Sequence, residues 1–595
     1  MAVVIPPRLE WLLPEPIFDP PTLPDFGAPV ATLLARRGIT DDDTLRRFLA
    51  PTAAALHPIS LMADAERALD RIDRALATGE RIAIWGDYDA DGMSAVAVWV
   101  LALRALGTEA LRHVPSRWSD GYGLSAPGLA VLAERGVGLV VTCDCGVANV
   151  AEVAAARPMG LSIVVTDHHL PGAELPPADA VVDPHRVDCR YPDEDLTGAG
   201  LAYRLATALL ERHGRTAPDL AGVAAIGTVA DLAPMRGESR RIVVSGLAEL
   251  GATRRAGLRA LLKRATADPA HPTARELGYA IAPRINAAGR IAEADLAMGL
   301  LVSEDPAEAE RLADELEAVH RRRREMTTTM LAEARERIAG DSAVATGPLV
   351  LRDDAWEPGL IGLVAGRLAD ELARPVVVVS AAEGELRGSV RAPSDFHVAT
   401  ALHRLSAHLT KHGGHAAAGG FSMDPAAWDA FVAACEGLPR PLGTPAQAEP
   451  ARAATLAVDL VLSATHVGWP LARELERLEP YGPGNAEPVL AVTGLVVSNA
   501  RRVGATDAHI AFRMRRGPET IDAVAFGAPA ERPLPSVGSP VDLVGTLERD
   551  RFGGIERLRL RVLDYADAEA SPLMERRRAH RRERQQGTPL AAVAS

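Results

Sequence analysis

The sequence predicts an α/β protein: a first unit with a mostly parallel sheet, a long connecting helix, a second α/β unit and a small C-terminal β-barrel. Three observations carry this. Apolar runs of strand length, RIAIWG (81–86), VGLVVTCD (137–144), LSIVVTD (161–167) and AVVDP (180–184), alternate with helical stretches. Strands buried on both faces and joined by helical crossovers read this way. Residues 301–339 are highly charged and periodic, the pattern of one long helix. From about 456 to 565, short strands recur between turns, as in a small barrel.

The elements follow in order. Residues 1–60 are Pro-rich at first and then helical around ATLLARRG and LRRFLA, a packed N-terminal extension. The first α/β unit spans 61–300. It opens on a helix with Leu61, Ala65, Ala68, Leu69, Ile72 and Leu76 at helical spacing. Helices are expected at 94–106, 127–135, 149–156, 200–212 and 220–231, and PRINAAGR (283–290) reads as a loop. The connecting helix occupies 301–340. The second unit, 341–440, has strands PLVLRD, PVVVVS and ELRGSVR, helices at GLIGLVAGRLADEL and 397–409, and a Gly-rich turn at 412–420. A Pro/Gly/Ala-rich linker (441–455) leads to the barrel (456–565), and 566–595 form a basic tail.

Composition excludes several classes. The 595 residues are 48% hydrophobic and 24% charged, enough to bury real cores and unlike a disordered chain. Net charge is -13, so any nucleic-acid site must be a local patch. Lys263 and Lys411 are the only lysines, which leaves phosphate contacts mainly to arginine. Four cysteines make no disulfide scaffold. Cys143 and Cys145 are expected to serve in core packing. The N-terminus lacks a basic start followed by a long apolar run, and no stretch of 18 apolar residues offers a membrane span. A reduced, cytoplasmic protein with no membrane contact is the simplest reading.

The sharpest feature is IWGDYDADGMSA, in which Asp87, Asp89 and Asp91 alternate in a tight loop after a strand. Carboxylates this close repel unless cations or protons compensate. Hard divalent ions, Mg²⁺ or Mn²⁺, suit such oxygen donors. The calcium-loop pattern, which needs twelve residues ending in Glu, is absent. A capped acidic turn ahead of a helix is the plainer reading. Against it stand Asp144 ending the second strand, Asp167, His168 and His169 ending the third, and Asp231 in GTVADLAP. Together they make a plausible two-metal site for phosphate chemistry at the strand ends of one sheet.

DYDADG, TCDCG, DHH and VAD, in this order, resemble the four motifs of the DHH phosphoesterases. VPSRWSDGYGL (114–124), APRINAAGRI (282–291), GLIGLVAGRLAD (359–370), RGSVR (387–391), GGHAAAGG (413–420) and LEPYGPGNAEP (478–488) extend the resemblance to the RecJ branch, from about residue 50 to 565. The resemblance implies a DHH catalytic domain, a DHH-associated domain and an OB-type barrel. It implies a 5′-to-3′ single-strand-specific DNA exonuclease that releases 5′-mononucleotides with two divalent ions, Mn²⁺ or Mg²⁺, in recombination and repair. The implied metal ligands are Asp87, Asp89, Asp91, Asp144, His168 and Asp231, with Asp144 bridging and His169 beside the metals as a phosphate contact. Arg117, Ser389 and Arg391 match the pocket for the 5′-terminal phosphate. Arg284, Asn286, Arg290, Gly413, Gly414 and His415 are the further expected substrate contacts. The implied partners are single-stranded DNA and, at the level of the family, a helicase and a single-strand-binding protein.

The barrel sends a mixed signal. Residues 451–565 hold 14 Arg and 14 acidic residues, so there is no net basic excess. Phe512, Phe526 and Phe552 are candidate stacking groups for DNA, with core packing the simpler role for the first two. Three positions depart from the family pattern: Glu357 stands for a usual His, His320 for an Asn, and GESRR (237–241) for a Glu-Asn-Arg. None is an expected metal ligand. Two rival readings stay open: a phosphodiesterase for short oligonucleotides or cyclic dinucleotides, and an inactive single-strand-binding scaffold. The barrel argues against the first, the intact set of carboxylates against the second.

Overall fold

The computed structural model describes residues 4–17, 20–53, 56–115, 123–340, 347–438, 455–504, 506–550 and 556–574. Arg117, Phe552, nearly all of the expected linker and most of the expected basic tail lie outside these residues.

The chain opens with strand β1 (Glu10–Leu12) and helices Ala28–Arg36 and Asp42–Leu49. The first sheet comprises β2 (Ile82–Gly86), β3 (Leu111–His113), β4 (Leu139–Cys143), β5 (Ser162–Thr166) and β6 (Ala180–Val182). Their order is β3-β2-β4-β5-β6 and every pairing is parallel. β2 and β4 are buried along their whole length, which explains their unbroken apolar sequence. Helices Ala65–Thr78, Ala90–Ala105, Gly198–Arg212 and Leu220–Ala230 cover one face around Ile84, Val141, Trp99 and Leu205. Helices Ala126–Glu134 and Val150–Ala156 cover the other around Trp85, Val140 and Leu129. Cys143 belongs to the first core and Cys145 to the second, the packing role expected of them. The strand order reverses between β2 and β4, and ligand crevices open at such a switch point, beyond the carboxyl ends of the strands.

The segment 283–290, read above as a loop, lies within the helix Ala282–Ile291. Its Pro, Asn and Gly suggest a loop. Pro283 instead sits in the first turn, where its missing N–H costs nothing. Gly289 is needed for contact, because a Cβ there would lie 2.0 Å from the Tyr88 carbonyl oxygen. The long helix runs Pro306–Gly340 and leads to β7 (Leu349–Arg352), β8 (Val376–Ala382), β9 (Glu385–Arg391), β10 (Lys411–Gly414) and β11 (Ala418–Met423). This sheet has the order β10-β11-β9-β8-β7 and is parallel only at β7–β8. The Gly-rich stretch 412–420 is therefore mostly hairpin strand, not turn.

β12 (Thr455–Ala457) pairs in parallel with β1. β13 (Leu460–Ser463) pairs in parallel with β14 (Leu490–Val503). β14, β15 (His509–Arg516), β16 (Glu519–Ala525), β17 (Pro540–Asp550) and β18 (Arg557–Asp567) then close on themselves through the β14–β17 pairing, a five-stranded barrel. The N-terminal segment completes this barrel. Ile5, Leu33, Leu34 and Leu45 share one core with Leu490, Phe512 and Leu543. Asp564 accepts from the Arg8 and Leu9 amides and from the Trp11 indole at 2.8–2.9 Å. Phe512 is core, as expected, whereas Phe526 is half exposed on the barrel surface, against expectation.

Candidate metal centre

The acidic loop leaves β2 at Asp87 and enters the helix Ala90–Ala105. Asp89 caps that helix, its Oδ1 accepting from the amides of Asp91 and Gly92 at 2.9 and 3.0 Å. Asn286 Oδ1 accepts from the Ala90 amide at 2.8 Å. Asp91 turns inward and is gripped by the start of helix Gly198–Arg212. It accepts from Thr197 Oγ1 (2.9 Å) and from the amides of Gly198 (2.7 Å) and Ala199 (3.0 Å). Asp144 follows β4 in a left-handed conformation, φ 62°. That conformation is uncommon outside glycine and marks a functional turn.

Three glycines let these parts meet. A Cβ at Gly198 would lie 2.4 Å from Asp144 Cβ, at Gly227 2.5 Å from Asp91 Oδ1, and at Gly92 2.6 Å from the Asp87 nitrogen.

His168 Nε2 lies 2.9 Å from Asp144 Oδ1 and 3.8 Å from both Asp91 Oδ2 and Asp231 Oδ2. Asp231 stands at the C-terminal end of helix Leu220–Ala230. Three ligand-type groups result: Asp87, Asp89 and Asp144; Asp91, His168 and Asp231; and Asp144, His168 and His169. All seven expected metal-site side chains are thus brought together, and Asp144 and His168 each belong to two groups. Asp167 is the orienting residue that sequence reasoning left unassigned. Almost fully buried, it accepts from the Val147, His168 and His169 amides and from His169 Nδ1 at 2.7–3.2 Å. Asp183 was also missed. It is wholly buried after β6, next to the end of β5. Its carboxyl oxygen accepts from the His185 amide at 2.8 Å. Nothing in AVVDP separates this acid from an ordinary strand end.

The electrostatics follow from crowding. Burial, then Asp231 and Asp89, hold the Asp91 carboxyl well above the usual range. Burial and the other loop carboxylates do the same to Asp144. Burial and Asp89 raise Asp231 to about 6. Burial and His169 lower His168 to about 4, leaving it neutral and able to act as a ligand. His169 is opposed by burial, but its hydrogen bond to Asp167 raises it to about 9, so it carries charge at neutral pH. Hard oxygen donors with one neutral imidazole, too mutually repulsive to ionise together, are a donor set that fits Mn²⁺ or Mg²⁺.

The expected phosphate contacts divide. Ser389 and Arg391 lie on β9. Arg391 donates to Ser389 Oγ (3.0 Å) and to the Val390 carbonyl. Ser389 is in register with Gly420 and, one strand on, Gly413. His415 is exposed at the end of the same hairpin, and its amide donates to the Ala418 carbonyl. Gly414 is required there, since φ is 153° and a Cβ would lie 2.5 Å from the Ala418 oxygen. Arg284 and Asn286 depart from expectation. The Arg284 fork is taken by Glu317 of the long helix at 2.7 Å, and Asn286 holds the acidic loop. Arg290 donates to the Gly359 carbonyl.

The two α/β units meet along this line. A Cβ at Gly359 would lie 2.0 Å from the Arg290 oxygen, and one at Gly362 3.1 Å from Ser389 Oγ. Close backbone contacts therefore run from Tyr88 through Gly289 and Arg290 to Gly359, and Gly362, three residues on, abuts the Ser389 and Arg391 side chains. Glu357 lines a groove beside the long helix with Met326, Glu333 and Trp356. In GESRR, Glu238 accepts from the His57 amide at 2.8 Å, and Arg240 donates to the carbonyls of Phe48, Leu478, Glu479 and Pro480 at 2.8–3.2 Å. This segment joins the barrel to the first unit.

Three family models match: the DHH family N-terminal domain over 81–228, the DHHA1 domain over 343–438 and the RecJ OB domain over 458–564. The single-stranded-DNA-specific exonuclease RecJ of Bacillus subtilis is 34% identical over 544 residues, covering 91% of this chain and 68% of the relative. RecJ of Salmonella typhimurium is 32% identical, covering 89% and 94%. The crystal structure of Thermus thermophilus RecJ with Mn²⁺ superposes with TM-score 0.76 at 31% identity, covering 94% of this chain and 79% of that one. The same protein with Mg²⁺ gives 0.70 at 29%. No helix among the described residues is long and apolar enough to cross a membrane.

Proposed function

Because the chain belongs to the RecJ family of single-stranded-DNA-specific exonucleases, we propose that it degrades single-stranded DNA from the 5′ end and releases 5′-mononucleotides. The observation that carries this reading is the convergence of Asp87, Asp89, Asp91, Asp144, His168, His169 and Asp231 on one switch-point crevice, linked through the close approaches at Gly289, Gly359 and Gly362 to Ser389 and Arg391. Asp87, Asp89, Asp91, Asp144, His168 and Asp231 would hold two divalent ions, with Asp144 shared. Bound there, Mn²⁺ or Mg²⁺ supplies an activated water and offsets the charge that develops on phosphate.

The chain's own residues do the rest. Asp91 is fixed by three donors before any ion arrives, so the donor set is preorganised. His169, oriented by Asp167, offers Nε2 to a non-bridging phosphate oxygen. Arg391 and Ser389 hold the terminal 5′-phosphate, which sets polarity and counts off one nucleotide. His415 and the Gly413–Gly414 turn add donors from the same sheet. The barrel holds the retained 3′ part of the strand. In the cell the enzyme works in the cytoplasm, on strands opened by a helicase and covered by single-strand-binding protein.

The test is Mn²⁺-dependent hydrolysis of 5′- and 3′-labelled single strands and duplex, with Asp144→Ala beside wild type. Mononucleotides released from the 5′ end of single strands, and none from Asp144→Ala, are expected. Full activity in Asp144→Ala, or preference for a dinucleotide over a strand tens of nucleotides long, overturns the reading.

A further inference from the structure

The first α/β unit grips the barrel unit through a buried guanidinium. Arg240, on helix Gly237–Ala252, is only 3% exposed, and its bonds go to backbone carbonyls. Nε donates to Phe48 (3.1 Å), one terminal nitrogen to Pro480 (3.1 Å), and the other to Leu478 (3.2 Å) and Glu479 (2.8 Å). The Phe48 ring centroid lies 4.0 Å from the guanidinium carbon, and Phe48 itself packs against the barrel core. Arg37, which ends helix Ala28–Arg36, holds the same loop. It donates to Asn485 Oδ1 and to the Ala486 carbonyl (2.6 Å). Asn485 is buried and turns its Nδ2 to the Leu478 and Pro480 carbonyls at 2.9 and 2.8 Å.

The form of this clasp decides what it does. A single ion pair is a swivel. A guanidinium is a rigid planar fork of donors. Spent on carbonyls of two separate segments and stacked on a ring, it fixes angle as well as distance. The exposed Arg275, paired with Glu548 (3.2 Å) and Glu487 (3.7 Å), adds little to that. The clasp also lies close in sequence to the metal centre. The Met235 amide, four residues past Asp231, donates to the Pro483 carbonyl of the clasped loop at 2.6 Å.

We propose that Arg240, supported by Arg37, is a positioning residue that fixes the angle of the barrel against the metal centre, so that a strand gripped by the barrel arrives in line for cleavage. The inference rests on the exonuclease reading above. A loosened barrel still binds DNA but no longer presents it at one place. The gain from engaging one strand at two sites depends on a geometry that allows both at once.

The experiment compares 5′-phosphorylated strands of about 4 and about 40 nucleotides, the first too short to fill the metal centre and a barrel site together. Wild type is expected to favour the long strand through a lower KM. Arg240→Ala is expected to raise that KM about tenfold, with kcat, the constants for the short strand and Mn²⁺ affinity unchanged. Fluorescence anisotropy without divalent ions should show the same loss of affinity for the long strand alone. Arg240→Lys keeps the charge without the fork and should behave as Arg240→Ala does. Arg37→Ala, at a less buried position, should shift the same constants in the same direction and carries the test if Arg240→Ala does not fold. Equal losses on both lengths, no loss on the long strand, or wild-type behaviour of Arg240→Lys overturns the positioning role. If wild type shows no preference for the long strand, or Asp144→Ala cleaves as wild type does, the exonuclease reading above falls instead.

Discussion

Gly198→Ala is the most economical probe of how the donor set is held. Gly198 is the first residue of helix Gly198–Arg212, and its amide donates to Asp91 at 2.7 Å. A methyl group there would lie 2.4 Å from Asp144 Cβ, 2.9 Å from its Cγ and 3.0 Å from its Cα. Ordinary carbon contacts begin near 3.5 Å, so the helix start and Asp144 must separate by roughly 1 Å. Neither side yields freely, because Asp144 already sits in a left-handed turn and the helix start is tied to Asp91. Overpacking of this kind costs about 1–3 kcal/mol. Misplacing a catalytic group by about 1 Å costs about 100-fold in rate. Gly198→Ala should therefore lower kcat/KM on single-stranded DNA about 100-fold, weaken Mn²⁺ binding measured by titration, and lower the melting temperature. Gly200→Ala is the control: its nearest neighbour is the flexible end of Leu196 at 3.3 Å, and it should behave like wild type. If Gly198→Ala stays within threefold of wild type in rate and Mn²⁺ affinity, the close-approach argument is wrong.

Arg391→Ala should raise KM for 5′-phosphorylated ends about 10- to 100-fold, the worth of a charged hydrogen bond, and barely change use of 5′-hydroxyl ends; equal losses on both would refute a phosphate-specific role. Asn286→Ala leaves the Ala90 amide without its acceptor, so about 1–3 kcal/mol of stability and roughly tenfold of activity should go, read by melting and by initial rates. Removing divalent ions by chelation should make stability fall as pH rises from 6.5 to 8. In that window Asp183, raised to about 7, and His169, raised to about 9, bind more protons folded than unfolded, and burial and crowding shift Asp91 and Asp144 in the same direction. Groups whose values folding raises lose their contribution as pH climbs through the folded value. His168, lowered to about 4, opposes this only near pH 6.5, where the unfolded imidazole still holds part of a proton, and adds almost nothing toward pH 8. Scanning calorimetry should also show Mn²⁺ restoring the melting temperature most at pH 8; a melting temperature that rises from pH 6.5 to 8 without ions contradicts the reading.

The parts legible in sequence were those with local signals. Parallel strands buried on both faces leave unbroken apolar runs, so the acids after β2, β4 and β5 could be placed at strand ends and then found together. The barrel strands were legible as short strands recurring between turns. What failed depends on distant partners. The helix Ala282–Ile291 has loop composition, and only the approach of Gly289 to the Tyr88 oxygen explains its glycine. The N-terminal segment gave no sign that it would pack against the barrel unit, because β1 pairs with β12 some 445 residues on. Asp167 and Asp231 look alike in sequence; burial and four hydrogen bonds from backbone and His169 make the first an orienting residue. Phe526 looked like a core residue because its strand is apolar, but it lies just past the end of β16, where the alternation stops.

The departures from the family pattern fall in the scaffold and not in the donor set. His320 is buried, with Nδ1 3.3 Å from the Pro283 carbonyl, and burial with Arg284 and Arg323 lowers it to about 4. A neutral imidazole protonated at Nδ1 donates there as an asparagine amide would. One turn earlier on the same helix, Glu317 holds Arg284. Glu317 and His320, three residues apart and so on one helix face, seize consecutive residues of helix Ala282–Ile291. That helix in turn presents Asn286 to the Ala90 amide and Gly289 to the Tyr88 oxygen. An arginine expected to meet phosphate and a histidine that looked out of place are thus two struts of one support, which carries the position of the connecting helix into the acidic loop. The joint between the two α/β units is part of what sets the geometry of the carboxylates, and a substitution there that keeps a neutral donor leaves the chemistry untouched.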